Sequence, residues 1–220
     1  MKRGLITWDK AELPPEVFDV RLAKLRHAMG DLPACVVYAD VARSNEGRHF
    51  TNFMPYWNRS LIIVPKADAP VLLCGLSPRV YPWIRSVTVF EEIKPAAKLV
   101  PTLVQFCGER GWGRVGVLNL PQLIHEVFAP LSASGIELVD VPMSLEPDSA
   151  EVQMMATAKA LAEQVIQGCS LVGLTRQQVA GTLERALRRA GFEDVVLRMR
   201  ERVTVDVEYR GHWVRVEANA

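Results

Sequence analysis

The feature that most restricts what this chain can fold into is an alternation near its end. From Arg202 to Glu217 the sequence reads RVTVDVEYRGHWVRVE. Val203, Val205 and Val207 fall on one side of an extended chain, and Thr204, Asp206 and Glu208 on the other. A period of two marks a strand with one buried face. Arg210-Gly211 interrupts the run and His212 to Val216 begins a second one. The segment is therefore expected to be a β-hairpin.

Two helices are expected before it. Asp148-Ser149-Ala150-Glu151 reads as a helix start capped by Asp148 or Ser149. Val152, Met155, Ala158, Leu161, Val165 and Ile166 carry that helix on. Gly168 to Gly173 breaks the chain. Thr175 followed three residues later by Gln178 is a capping box. Val179, Leu183, Ala186 and Leu187 then form a second apolar stripe, ended by Gly191. Arg185, Arg188 and Arg189 give this helix a basic face, either solvated or facing an acidic partner. Val195 to Met199 is a strand leading into the hairpin.

The first two thirds alternate strands and helices. Val17, Val20, Leu22, Leu25 and Met29 recur at helical spacing, with Arg21, Lys24 and Arg26 between them, and Gly30 ends the run. Ala34 to Tyr38 is a continuous apolar stretch, as in a strand covered on both faces. Leu61 to Pro65 and Val71 to Cys74, joined by a turn over residues 66–70, are expected to pair antiparallel. Further expectations are a helix over 77–84, a strand over 87–90, a helix over 96–110, a strand over 114–118, a helix over 122–131 and a strand over 136–139. This order predicts an α/β sandwich. Pro142 to Pro147 reads as a linker, giving domains of 1–142 and 148–220.

Composition excludes several function classes. In 220 residues, 26 Lys and Arg balance 25 Asp and Glu, so the basic excess of a nucleic-acid binder is missing. No apolar run approaches membrane-spanning length, and the first residues are too polar for a signal peptide. Cys35, Cys74, Cys107 and Cys169 are far apart, without zinc-like spacing. Buried, reduced thiols in a cytoplasmic protein are expected. Gly111, Gly113 and Gly116 precede and enter a strand, which is the wrong context for a nucleotide-binding loop. His27 reads as a surface or boundary residue of its helix, and His125, with only Glu126 as an acidic neighbour at a suggestive spacing, as a packed or surface one.

Residues 43–65, RSNEGRHFTNFMPYWNRSLIIVP, form a loop-rich segment with clustered chemistry. Phe50, Phe53, Tyr56 and Trp57 lie near Arg48 and Arg59. Aromatic rings beside a guanidinium suit a small planar or carboxylate-bearing ligand. Equally, they suit a packed sheet edge with solvated arginines.

Two stretches carry a resemblance. Asn45, the run His49-Phe50-Thr51-Asn52-Phe53, Arg59 and the strand ending in Val64-Pro65 resemble the N-terminal domain of the creatinase, prolidase and Xaa-Pro aminopeptidase superfamily. Glu208-Tyr209-Arg210-Gly211-His212 resembles the turn that opens the metal site of that superfamily's "pita-bread" domain. The resemblance implies a creatinase-type N-terminal α/β sandwich followed by a partial, half α+β pita-bread domain. Aligned on the turn, Thr204 takes the place of the first metal-binding Asp and Arg215 that of the second. Asp206 lies on the same face two residues later. Ala220 is reached before the family's later His and two Glu ligands. A Thr hydroxyl is a poor cation ligand and a guanidinium repels a cation, so the expected metal and cofactor complement of this chain is none.

What the resemblance implies for function follows from those substitutions. The first expectation is a non-catalytic pseudoenzyme or small subunit of an oligomeric, hydrolase-like complex. A second is a metal-independent, creatinase-like hydrolase of a guanidino or amide compound, with His212, Asp206 and Glu208 as candidate catalytic groups. A third is a small-ligand sensor using Phe53, Arg59 and Trp57. In the family a homologous aromatic reaches across a dimer, which singles out Phe53 and Arg59. A half domain would leave the Val203/Val205/Val207 face and the hairpin edge uncovered. The expected partner is accordingly a second copy or a longer pita-bread homologue, with a small molecule as ligand and neither nucleic acid nor membrane.

Overall fold

A computed structural model describes residues 8–55, 58–200 and 203–218. Two compact units emerge. One runs from Pro14 to Glu146; the other joins residues 147–220 to the first thirteen.

The first unit contains α1 (Pro15–Ala28), β1 (Ala34–Ala39), α2 (Asn45–Thr51), β2 (Ser60–Pro65), β3 (Val71–Cys74) and α3 (Tyr81–Val87). It continues with β4 (Glu92–Pro95), α4 (Leu99–Glu109), β5 (Arg114–Leu118), α5 (His125–Ser132) and β6 (Glu137–Val141). The strands form one sheet in the order β4-β3-β2-β1-β5-β6. As expected, β2 pairs antiparallel with β3, Leu61 opposite Leu73. β1 runs antiparallel to β2 and parallel to β5.

Every residue of β1, β2 and β3 is buried. Alternate side chains enter different layers, as the pleat requires. Cys35, Val37, Ile62, Val64 and Leu72 pack with Leu22 and Leu25 of α1, Phe50 of α2 and Ile84 of α3. Val36, Leu61, Ile63 and Leu73 pack with Leu103 and Phe106 of α4 and Leu131 of α5. The result is an α/β sandwich. Gly116 is fixed by this packing: a Cβ there would lie 2.7 Å from Val141 Cγ2.

Three local expectations are corrected. Residues 87–90 are not a strand. Thr88 Oγ1 donates to the Ile84 carbonyl at 2.9 Å, ending α3, and Phe90 drops into the core. The strand lies at Glu92–Pro95, where only Ile93 is buried and the Glu, Lys and Pro composition hides an edge strand. Second, part of the loop-rich segment is the helix α2, which closes at Asn52 in the left-handed conformation. Third, α1 is rotated from its expected face. Val20 is exposed, while Phe18 and Arg21 are buried. Arg21 tolerates burial because Nη1 donates to the His49 carbonyl at 2.8 Å and the guanidinium lies 5.2 Å from the Phe18 ring.

The second unit contains α6 (Ser149–Gln167), α7 (Arg176–Arg189), β7 (Asp194–Met199), β8 (Val203–Tyr209) and β9 (His212–Ala218). Its strands form an antiparallel sheet, β7-β8-β9. Asp148 caps α6, accepting from the Glu151 N–H at 3.0 Å. Thr175 and Gln178 form the expected capping box on α7. Of the expected stripe of α6, Ala158 and Ile166 are buried and Leu161 and Val165 pack partly buried against the core, while Val152 is exposed and Met154 and Ala162 complete the buried face. Small alanines at 158 and 162 let the helix approach the sheet closely.

This packing overturns one expectation. The Val203/Val205/Val207 face is not uncovered. Those valines form one core with Ala158 and Ile166 of α6 and Val179, Leu183 and Leu187 of α7. Burial of such side chains stabilises by roughly 1.5–3 kcal/mol each. The lead-in at residues 8–13 packs with this unit rather than opening the first. Tyr209 Oη donates to Glu12 Oε1 at 2.9 Å, and Arg210 Nη2 pairs with Asp9 Oδ2 at 3.2 Å.

Candidate functional site

Register assigns every residue of the three-stranded sheet to a face. Val207 lies opposite Val195 and Val214, and Val205 opposite Leu197 and Val216, all toward the helices. The other face carries Val196, Asp206 and Arg215 in one cross-strand row, with Arg198, Thr204 and Glu217 in the next. The connection of β8 to β9 holds this register. Arg210 and Gly211 both have positive φ, 49° and 79°, the geometry of a two-residue hairpin turn.

At the centre of the open face Asp206 is gripped by two arginines. Arg215 Nε donates to Oδ1 at 2.6 Å and Arg215 Nη2 to Oδ2 at 3.2 Å. Arg198 Nη1 also donates to Oδ2. The Arg215 hydrogen bond, reinforced by Arg198, outweighs desolvation and holds the Asp206 carboxyl below its usual range. A shallow cleft of about 480 Å³ lies over these groups, lined by Val196, Arg198, Asp206, Trp213, Val214 and Arg215.

The sequence-expected site residues separate. His212 faces the helices, with Nε2 at 3.7 Å from Glu151 Oε1 of α6. Asp206 and Glu208 alternate to the other side of the sheet, so the three candidate catalytic groups do not form one cluster. Nor does His212 share a face with its neighbour Trp213. Phe53 is 1% exposed and packs edge-on to Phe90, 5.9 Å between centroids, which removes it from any ligand surface. Trp57 and Tyr56 lie outside the described residues. Arg59 is exposed and ion-paired to Glu126. It lines a separate cleft of about 390 Å³ with Asn58 and Lys98. Burial pushes the Cys35 thiol up to about 12 and that of Cys107 up to about 11, so neither is a thiolate nucleophile near neutral pH.

Sequence reasoning passed over Arg198 and Trp213. The signal for both was the alternation itself. Extended one strand back, it puts Arg198 beside Thr204, and extended across the turn it puts Trp213 opposite Glu208.

No protein-family model matches the chain, and no curated sequence matches it. Solved structures do. An X-Pro aminopeptidase from Thermotoga maritima superposes with a TM-score of 0.68 at 13% identity, over 88% of this chain and 63% of that one. A prolidase from Thermococcus sibiricus gives 0.65 at 15% identity, over 91% and 64%. An Xaa-Pro dipeptidase from Bacillus anthracis gives 0.64 at 16% identity, again over 91% and 64%. The chain carries the creatinase/prolidase fold.

It spans less than two thirds of the length of these proteins, 63% and 64%. The creatinase/prolidase resemblance assigns Thr204 and Arg215 to cation-ligand places, and their chemistry does not fit that role. Thr204 offers a hydroxyl. Arg215 brings a permanent positive charge, and Asp206, cross-strand from it, already accepts from two guanidiniums. Among the described residues no group of three or more His, Cys, Asp or Glu is placed to hold a metal ion. No described helix is long and apolar enough to cross a membrane.

Proposed function

We propose that this chain uses the creatinase/prolidase fold without metal-dependent peptide hydrolysis of its own. It is a non-catalytic, aminopeptidase-like protein, acting as a pseudoenzyme or as the small subunit of an oligomeric hydrolase-like complex. One observation carries the reading. Asp206, cross-strand from Arg215 and two residues from Thr204, is neutralised by Arg198 and Arg215. A divalent cation brought to Asp206 would meet two fixed positive charges there.

The metal-independent alternative is weakened by the sheet register. A base and its partner carboxylates must converge on one substrate, and His212 lies on the opposite face from Asp206. The four cysteines are free thiols, which supports a reducing, cytoplasmic setting. Association, with a second copy or a longer homologue, remains part of the proposal. Its surface is the open face bearing Val196 and Trp213, since the chain's own helices cover the valines.

The test is direct. The purified chain is incubated with Mn²⁺, Co²⁺ or Zn²⁺ and Xaa-Pro dipeptides, and metal content is measured after gel filtration. No turnover and no stoichiometric metal are expected. Robust cleavage, or tight metal lost in an Asp206→Asn variant, overturns the reading.

A further inference from the structure

We infer that the cleft over β7, β8 and β9 is a binding site for a small organic anion: a carboxylate attached to an apolar or aromatic group. The inference rests on the reading above, that guanidiniums occupy this face in place of cations.

Charge comes first. The cleft is lined by two guanidiniums and one carboxylate, and the other carboxylates of this face, Glu208 and Glu217, lie outside that lining. Asp206 is the most enclosed of the three, with 13% of its side chain exposed, against 44% for Arg198 and 63% for Arg215. The negative charge is thus held inward and the positive charges face the opening. Asp206 also orients its partners. Arg215 commits Nε and Nη2, and Arg198 commits Nη1. Each planar fork has five N–H donors, so donors remain on both for an incoming anion, already fixed in direction. Carboxylates are the anions whose planar pair of oxygens matches such forks.

The rest of the lining sets the other half of the ligand. Trp213 is 42% exposed and Val196 40%. They flank the Asp206–Arg215 row, Val196 on β7 and Trp213 on β9. An exposed indole beside an aliphatic wall, next to oriented guanidiniums, suits a ring or branched apolar group carrying an acid. A volume of about 480 Å³ falls within the range of small-molecule sites. Inorganic anions would leave the apolar wall unused, and cations are repelled.

Phenylacetate is the probe. The full chain is titrated with phenylacetate, with its neutral isostere phenylacetamide and with inorganic phosphate, following indole N–H signals by NMR. Saturable phenylacetate binding on the order of millimolar is expected for a ligand of this size, with the Trp213 signal moving most. Phenylacetamide and phosphate should each bind about tenfold more weakly or worse. Arg215→Ala and Trp213→Ala, both at exposed positions, should each weaken phenylacetate about tenfold while circular dichroism stays unchanged. Equal binding of the amide, unchanged affinity in Trp213→Ala, or no saturable binding overturns the inference. So does self-association through Trp213 that excludes the probe. A parallel Mn²⁺ titration tests the underlying reading by itself. Manganese without phenylacetate binding sinks both; neither ligand binding sinks only the anion site.

Discussion

In the six-stranded sheet, β1 and β2 bury every residue, and alternate side chains enter one helical layer or the other. In the three-stranded sheet only one set of alternate residues meets helices. The other set presents Val196, Trp213, Arg198 and Arg215 to solvent, with Asp206 and Glu208 buried among that set. Both sheets are built from β-branched and aliphatic strands, yet they differ in what they leave available. The first spends both faces on its core. The second keeps a face on which charged groups are fixed by register, which is where binding chemistry can reside.

The largest expected difference comes from equal truncations in the two sheets. Leu72→Ala, fully buried in β3, should cost about 2–5 kcal/mol in urea unfolding. Val196→Ala, 40% exposed, should cost less than about 0.5 kcal/mol. A Val196→Ala cost approaching that of Leu72→Ala would break the comparison, because the open face would then have to be covered in solution.

Asp206 comes next. Asp206→Ala removes the acceptor of hydrogen bonds from Arg198 and Arg215. The expected loss is about 1.5 kcal/mol, held down by solvent around both arginines. Its pH dependence has a definite sign. The folded carboxyl titrates below its unfolded value, so the folded state prefers the ionised form. That stabilisation is complete above the unfolded pKa of about 3.9 and disappears as the pH falls through the lower, folded one. Thermal melts between pH 6 and about pH 2 should show a steeper acid limb in the parent than in Asp206→Asn. Identical limbs would mean the two arginines do not hold the carboxylate.

The fold was more legible in the sequence than the site, for physical reasons. Val203, Val205 and Val207 announce a period of two, and Thr175 with Gln178 announces a cap, because local chemistry decides both. Helix rotation is decided by tertiary partners. Arg21 is buried because the His49 carbonyl and the Phe18 ring receive it, and nothing near residue 21 signals that. The Asp206 cluster draws on three strands, so it appears only when Arg198 of β7 is set against β8. Phe53 misled for the opposite reason: an aromatic beside arginines reads the same whether it faces a ligand or Phe90.

The helix caps offer a smaller, local effect that sharpens the contrast within the second unit. Asp148→Ala and Thr175→Ala should each cost about 1 kcal/mol, through N–H groups left without acceptors at the starts of α6 and α7. Because these helices cover the valine face, the loss should increase amide exchange at Val205 and Val207 along with the helices. Exchange confined to the helix ends would mean the sheet holds its face without them.

The smallest change in stability is expected at the most conspicuous residue of the open face. Trp213→Ser removes an indole that is 42% exposed and lies opposite Glu208 rather than against the helices. With little burial to lose, unfolding should shift by about 0.5 kcal/mol or less. Solution behaviour is where the variant should differ. An indole beside Val196 is apolar surface that contact with a partner would cover, so light scattering of the parent should show weak self-association that Trp213→Ser reduces and that phenylacetate, competing for the same face, reverses. A parent that stays monomeric at micromolar concentration would leave the face to small ligands. A variant that loses several kcal/mol would show instead that Trp213 is part of the core, and that the two sheets are covered alike.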